Sequence, residues 1–142
     1  MKKMASKSFM IFTVTLQMKG IAQYLDATFP EFDTPIRLHV NGCPNQCGQQ
    51  AIADIGLAGA LVRRDGQMVD AFDVSISGGL GANAKFNRKI VLKVPGEQVQ
   101  HTIANIVRSY LDKRLPDESF REYANRIDDD ELKAYLQQAA AV

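Results

Sequence analysis

Aromatic and β-branched residues crowd the stretch Phe9-Met10-Ile11-Phe12-Thr13-Val14-Thr15, which predicts a strand. The period then changes. Over 18–28, Ile21, Tyr24, Leu25 and Thr28 fall on one face at helical spacing. A turn-rich connection through Phe29-Pro30 and Thr34-Pro35 leads to 36–40, where Ile36, Leu38 and Val40 alternate with Arg37 and His39, the mark of a second strand. Pro44 suits the first turn of a helix, so a short helix is expected over 44–49. The apolar run 51–62 reads as a strand softened by glycines. Asp65-Gly66 is a hairpin turn, and 67–75 is the return strand. Ser77-Gly78-Gly79-Leu80-Gly81 is a glycine-rich loop, and 89–94 is one more strand. After Pro95-Gly96, Val99, Ile103, Ile106, Val107, Tyr110 and Leu111 form the apolar stripe of a long helix. Two shorter helices are expected near 119–126 and 129–140.

This order mixes hairpins with crossovers, so a purely parallel sheet is excluded. The expected fold class is α+β, with a mixed sheet of about five strands and helices. The expected division is a principal domain over 1–115 and a C-terminal helical extension over 116–142. With 142 residues, 46% hydrophobic and 23% charged, the chain can bury a core. Its 17 basic and 16 acidic residues give a net charge of +1, which offers no electrostatic case for nucleic acid. No apolar run approaches bilayer length, so no membrane partner is expected. The basic start is followed by an apolar stretch broken by threonines and is not read as a signal peptide. With 2 cysteines in all, a reducing, cytoplasmic setting fits best.

Those two cysteines, Cys43 and Cys47, lie in His39-Val40-Asn41-Gly42-Cys43-Pro44-Asn45-Gln46-Cys47-Gly48-Gln49-Gln50. Thiols at i and i+4 of a helical turn point the same way and could bind two corners of an iron–sulfur cluster, which takes four thiolates. N–H groups at a helix start would favour the sulfur charge. Alternatives stand beside this. The two could be small buried hydrophobes. A disulfide would lie near the upper limit of Cα separation. Zinc would need two more ligands, for which His39 and His101 qualify by count only. The glycine loop lacks the pattern of a phosphate loop. Lys85, Arg88 and Lys89 beside it read as a solvated basic face, and Arg63 and Arg64 as exposed charges at a hairpin tip.

Asn41-Gly42-Cys43-Pro44-Asn45-Gln46-Cys47-Gly48-Gln49, continuing through Ala53-Asp54-Ile55-Gly56, resembles the C-x3-C region of the siroheme- and 4Fe–4S-containing nitrite/sulfite reductases. The resemblance extends through Phe72-Asp73-Val74, Gly78-Gly79-Leu80-Gly81, Phe86-Asn87-Arg88-Lys89 and Glu118-Ser119-Phe120-Arg121-Glu122-Tyr123. It implies an α+β cluster-binding domain of an enzyme that reduces nitrite to ammonia or sulfite to sulfide, each by six electrons. The cofactors it implies are a 4Fe–4S cluster and siroheme. Cys47 matches the thiolate that also bridges to siroheme iron, and Cys43 a cluster-only ligand. Asn41, Asn45 and Gln46 would line the cofactor side. The family's other two ligands, a C-x5-C pair, match Met4 and Met10 here, and a thioether cannot deprotonate to replace a thiolate. Ser77 stands where the family's loop would carry glycine.

The resemblance leads to one principal expectation and two others. The chain would be a fragment or truncated form of such a reductase, not catalytically complete alone, with the rest of the reductase as partner and a ferredoxin-type electron donor. It would otherwise be a cofactor-free binding or regulatory module that keeps the fold, with Met4 and Met10 filling the space of lost sulfurs. A second copy of the chain could also complete a shared cluster across a two-fold axis.

Overall fold

The computed structural model describes residues 9–12, 17–30, 32, 34–42, 49–82 and 84–140. Five strands form one sheet in chain order: β1 (Phe9–Phe12), β2 (Ile36–Asn41), β3 (Ile55–Arg64), β4 (Gln67–Ile76) and β5 (Arg88–Pro95). The first three are mutually parallel, β4 pairs antiparallel with β3, and β5 pairs antiparallel with β4. The chain is thus an α+β domain with a mixed sheet, as its pattern predicts.

Local chemistry explains each connection. Parallel neighbours need a crossover. The helix α1 (Gln17–Thr28) supplies it between β1 and β2. Between β3 and β4 the chain reverses in two residues, Asp65 at φ 51° and Gly66 at φ 80°, the left-handed pair of a hairpin turn that matches strand twist. β5 bulges where Phe72 pairs with Val94 and Val74 with Val91. There Lys93 takes φ 53° and its N–H donates to Asp73 Oδ1 at 3.0 Å.

Three helices follow: α2 (Val99–Lys113), α3 (Phe120–Arg126) and α4 (Asp129–Ala140). Helices and sheet share one core. Ile36, Leu38, Val40, Ile55, Leu57, Phe72, Val74 and Ile76 occupy one sheet face by strand alternation. Against them pack Ile21 and Leu25 of α1, Val99, Ile103, Ile106, Val107 and Tyr110 of α2, Phe120 and Tyr123 of α3, and Leu132 and Leu136 of α4. Tyr110 is the hub of the ring contacts, 5.4 Å from both Phe120 and Tyr123 and 6.3 Å from Phe32. Each such buried large side chain contributes roughly 1.5–3 kcal/mol by leaving water.

The other face carries Arg37, His39 and Asn41 of β2, in register with Gly56 and Ala58 of β3, which pair in turn with Ser75 and Asp73 of β4. Among the described residues no helix covers it. This asymmetry sets where the candidate site lies.

One expected strand begins late. The stretch 51–62 reads as a strand throughout, but β3 starts at Ile55, and Gln50–Ile52 is a 3-10 turn. The carbonyls of Gln50 and Ala51 accept from Asn87, and that of Ala53 accepts from Gly78, so they are not free to join a ladder. The expected helix over 44–49 falls largely on residues outside the described set, as do Thr13 to Thr15 of the first strand.

α3 begins with a capping box. Ser119 Oγ accepts from the Glu122 N–H, while Glu122 accepts from the Ser119 N–H at 2.8 Å. Beside it, Glu118 accepts from Arg126 Nε at 2.7 Å and Nη2 at 2.9 Å. The Arg126 hydrogen bonds, then the Leu115 N–H, hold Glu118 below the ordinary value of 4.5. Ser119, by its N–H and then its hydroxyl, does the same for Glu122. Both carboxyls are lowered in the folded state, so their stabilisation is complete above 4.5 and is lost as pH falls through the depressed folded values. Urea midpoints measured across the acid range are expected to fall below pH 4.5, and Glu118→Gln is expected to flatten part of that slope. An identical slope in the variant would contradict this.

Candidate functional site

β2 ends at Asn41, a buried residue whose Nδ2 donates to Gln50 Oε1 at 3.0 Å. Those two side chains, nine positions apart, join the stems of the segment that carries the cysteines. Cys43, Asn45, Gln46 and Cys47 themselves lie outside the described residues, as does Met4. The backbone of Met10 lies in β1, in register with Arg37. Of the sequence-predicted site residues, Asn41 is therefore the one that the structure describes.

After the cysteine segment, Gln49 takes φ 54° and the chain enters the Gln50–Ile52 turn. That turn lies on the helix-free face, directly over Gly56. A Cβ at Gly56 would collide with the Gln50 carbonyl oxygen and lie 2.6 Å from Asn87 Nδ2. Glycine is required here for close approach. Asn87 secures the turn twice: its N–H donates to the Ala51 carbonyl at 2.8 Å, and its Nδ2 to the Gln50 carbonyl at 2.5 Å. Asp54 then returns the chain to the sheet. Its Oδ2 accepts from the Arg37 N–H at 2.8 Å and from Arg37 Nε at 3.4 Å, with the carboxylate 9% exposed.

The glycine-rich loop locks against the same turn. The Ser77 N–H donates to the Asp54 carbonyl at 3.1 Å and the Gly78 N–H to the Ala53 carbonyl at 3.0 Å. A Cβ at Gly78 would come within 2.5 Å of that Ala53 oxygen. Ser77 has φ 76°, the left-handed region that favours glycine. Its hydroxyl offsets part of the strain by donating to Asn125 Oδ1 at 2.6 Å. From α3, Arg121 Nη1 donates to the Leu80 carbonyl at 2.9 Å, with its guanidinium against Gly79. The cysteine stems, the 3-10 turn, the glycine loop and α3 form one hydrogen-bonded chain of supports.

Of the other candidates, His39 is buried on the same face, in register with Gly56. His101 is exposed on α2, where its Nδ1 bonds the Tyr24 hydroxyl at 3.0 Å. Among the described residues no group of three His, Cys, Asp or Glu could hold a metal ion. Arg88 is not part of a solvated basic face. It is ion-paired with Asp129 and donates to the Ile127 carbonyl at 3.1 Å, which ties α4 to β5. Lys89 pairs with Asp73 at 3.2 Å, and Lys85 is exposed. At the hairpin tip, Arg64 pairs with Glu97. An iron–sulfur cluster takes four thiolates, and this chain holds 2 cysteines, so its donor set fits two corners.

Comparison with known proteins gives the family. Residues 15–141 match the nitrite and sulphite reductase 4Fe-4S domain, and the chain belongs to that family. It is 40% identical over 105 residues to sulfite reductase [ferredoxin] 1 of Mycolicibacterium paratuberculosis, covering 72% of this chain and 19% of that protein. It is 41% identical over 88 residues to the ferredoxin–nitrite reductase of Synechococcus elongatus, covering 62% and 17%. The solved structure of the Mycobacterium tuberculosis NirA protein superposes with a TM-score of 0.76 at 29% identity, over 89% of this chain and 26% of that one. The chain thus spans less than a fifth of the curated relatives it matches. Among the described residues no helix is long and apolar enough to cross a membrane.

Sequence reading missed the supports: Gln50, Asn87, Asp54, Arg121 and Asn125. All but Gln50 and Asn125 lie in stretches of the family resemblance, but no periodicity marks them. Gly56→Ala is expected to destabilise the protein by about 1–3 kcal/mol, the usual cost of overpacking a tight contact. Gly20→Ala, with nothing within 4 Å of its Cβ, serves as the control. Equal urea midpoints for the two variants would show that the turn does not rest on Gly56.

Proposed function

We propose that this chain provides the cluster-binding domain of a ferredoxin-dependent nitrite or sulfite reductase, with Cys43 and Cys47 as thiolate ligands. The observation that carries this reading is the built support around their segment: the Asn41–Gln50 bond across its stems and the Asn87-secured turn packed on Gly56. Stems joined to each other, with the second docked on Gly56, suit a site that must meet a large cofactor from one side. When bound, the cluster and siroheme would supply one-electron redox chemistry, with Cys43 and Cys47 holding two corners of the cluster and a ferredoxin-type donor in the cytoplasm as the electron source. Asn45 and Gln46 would face the cofactors between the two thiolates. Cys47 would be the residue that contacts both cofactors.

Two thiolates leave two corners of the cluster to other donors. The rest of a reductase, or a second copy of this chain, would supply them. Substrate binding and protonation would also come from outside this domain.

The test is metal analysis. Protein purified without oxygen, or reconstituted with iron and sulfide, is expected to hold iron and acid-labile sulfide in equal amounts. Cys43→Ser and Cys47→Ser are expected to lower both to background. A folded wild-type chain with neither iron nor sulfide after reconstitution would overturn cluster binding by this chain.

A further inference from the structure

We propose that the cleft between β5, α2 and α4 binds a small organic phosphate, its phosphate among unpaired cations and its apolar body against the sheet. The cleft measures about 760 Å³, a size usual for small-ligand sites. It lies on the helix-covered face of the sheet, opposite the docked turn, and so stands independently of the cysteine segment.

Its charge is one-sided. Lys93 of β5, Arg108 of α2 and Lys133 of α4 line it, and among the described residues no Asp or Glu does. Six other cations of the described residues, Arg88 and Lys89 of β5 among them, are held in ion pairs. These three have no such pair there. Like charges gathered without acids repel one another, and an anion placed among them relieves that repulsion.

Asn105 points to a ligand independently. It lines the cleft at 9% exposure, and its Oδ1 accepts from Arg108 Nη1 at 3.0 Å. That bond identifies the oxygen end of the amide. The Nδ2 end donates to no group among the described residues, whereas buried polar groups nearly always have a partner. His101, also in the lining, adds a donor. With the Tyr24 hydroxyl donating to its Nδ1 at 3.0 Å, the neutral ring carries its proton on Nε2.

The cleft therefore offers donors and positive charge. A phosphate ester has more acceptor oxygens than a carboxylate and up to two charges, so it uses more of what the cleft offers. The buried side chains of Ile90, Val94 and Leu136 give an apolar wall for the rest of the molecule. β5 is the outer strand of the sheet, but its bulge, Lys89, Lys93 and the closing Pro95 discourage addition of a peptide strand.

The test titrates the full nitrogen-15-labelled chain with phenyl phosphate and follows backbone amides by NMR. Saturable shifts are expected at His101, Asn105, Arg108 and Lys133 and not along the β3–β4 hairpin. The expected dissociation constant is about 1 mM, ordinary for a ligand of this size. Arg108→Gln, at an exposed position, and Asn105→Ala are each expected to weaken binding about tenfold, the worth of one hydrogen bond to a charged group. Arg63→Gln removes the same charge at the hairpin tip and is expected to stay within about twofold, because solvent screens distant charges. Inorganic phosphate lacks the apolar body and benzoate the extra charge and oxygens, so both are expected to bind about fivefold more weakly or worse. Should Asn105→Ala not fold, Arg108→Gln and Arg63→Gln carry the test. Absence of saturable shifts at the cleft, or equal affinity for inorganic phosphate or benzoate, would overturn the proposal. So would wild-type affinity in folded Arg108→Gln, or an equal loss in Arg63→Gln.

Discussion

The Gln50 carbonyl sits over Gly56, closer than any side chain on β3 would permit. Much of the helix-free face follows from that approach. Because the turn can settle there, the Gln50 side chain reaches Asn41 at the end of β2, and Asn87 can bond to two successive carbonyls. On this face His39 is buried in register with Gly56, and Asn41 is buried and bonded to Gln50 of the turn. The glycine is thus a statement about the chain that lies on it, not about the strand that contains it.

The same turn transmits its position outward. Ala53 and Asp54 pass their carbonyls to Gly78 and Ser77, and the loop that begins there is held by Asn125 and Arg121 of α3. α3 owes its own placement to the aromatic group around Tyr110 on the opposite face of the sheet, and to the Glu118–Arg126 pair beside its capping box. The helical core and the candidate site therefore meet through α3, although they lie on different faces. Charge contributes to position as much as to solubility: Asp54, Asp73 and Asp129 each bind a cation where a strand must be fixed to a neighbouring segment.

Much of the fold is legible in the sequence. The alternation at Ile36, Leu38 and Val40 gives β2 its buried face, Asp65-Gly66 gives the hairpin, and the stripe from Val99 to Leu111 gives the long helix. The strand boundary at Ile55 was not legible. Ala51-Ile52-Ala53 is apolar enough for a strand, and the partners that divert its carbonyls come from Asn87 and Gly78, far along the chain. For the site, the cysteine motif and the family were readable, while the supports were not. Gln50 and Asn125 are ordinary polar residues until the fold sets them beside Asn41 and Ser77. Ser77 is the instructive case: the resemblance leads one to expect glycine there, the backbone adopts a conformation that favours glycine, and the hydroxyl bond to Asn125 gives the serine a partner that glycine would lack.

What the structure describes of this face is the docked turn itself, with Gln50 bonded to Asn41 and its carbonyl over Gly56. The most direct measurement is amide hydrogen exchange at Asn87 and Gly78, whose N–H groups donate to Ala51 and Ala53 outside any strand ladder. A docked turn predicts that both exchange as slowly as the amides of the β3–β4 ladder. Exchange at the rate of the exposed loop residue Ala82 would contradict it.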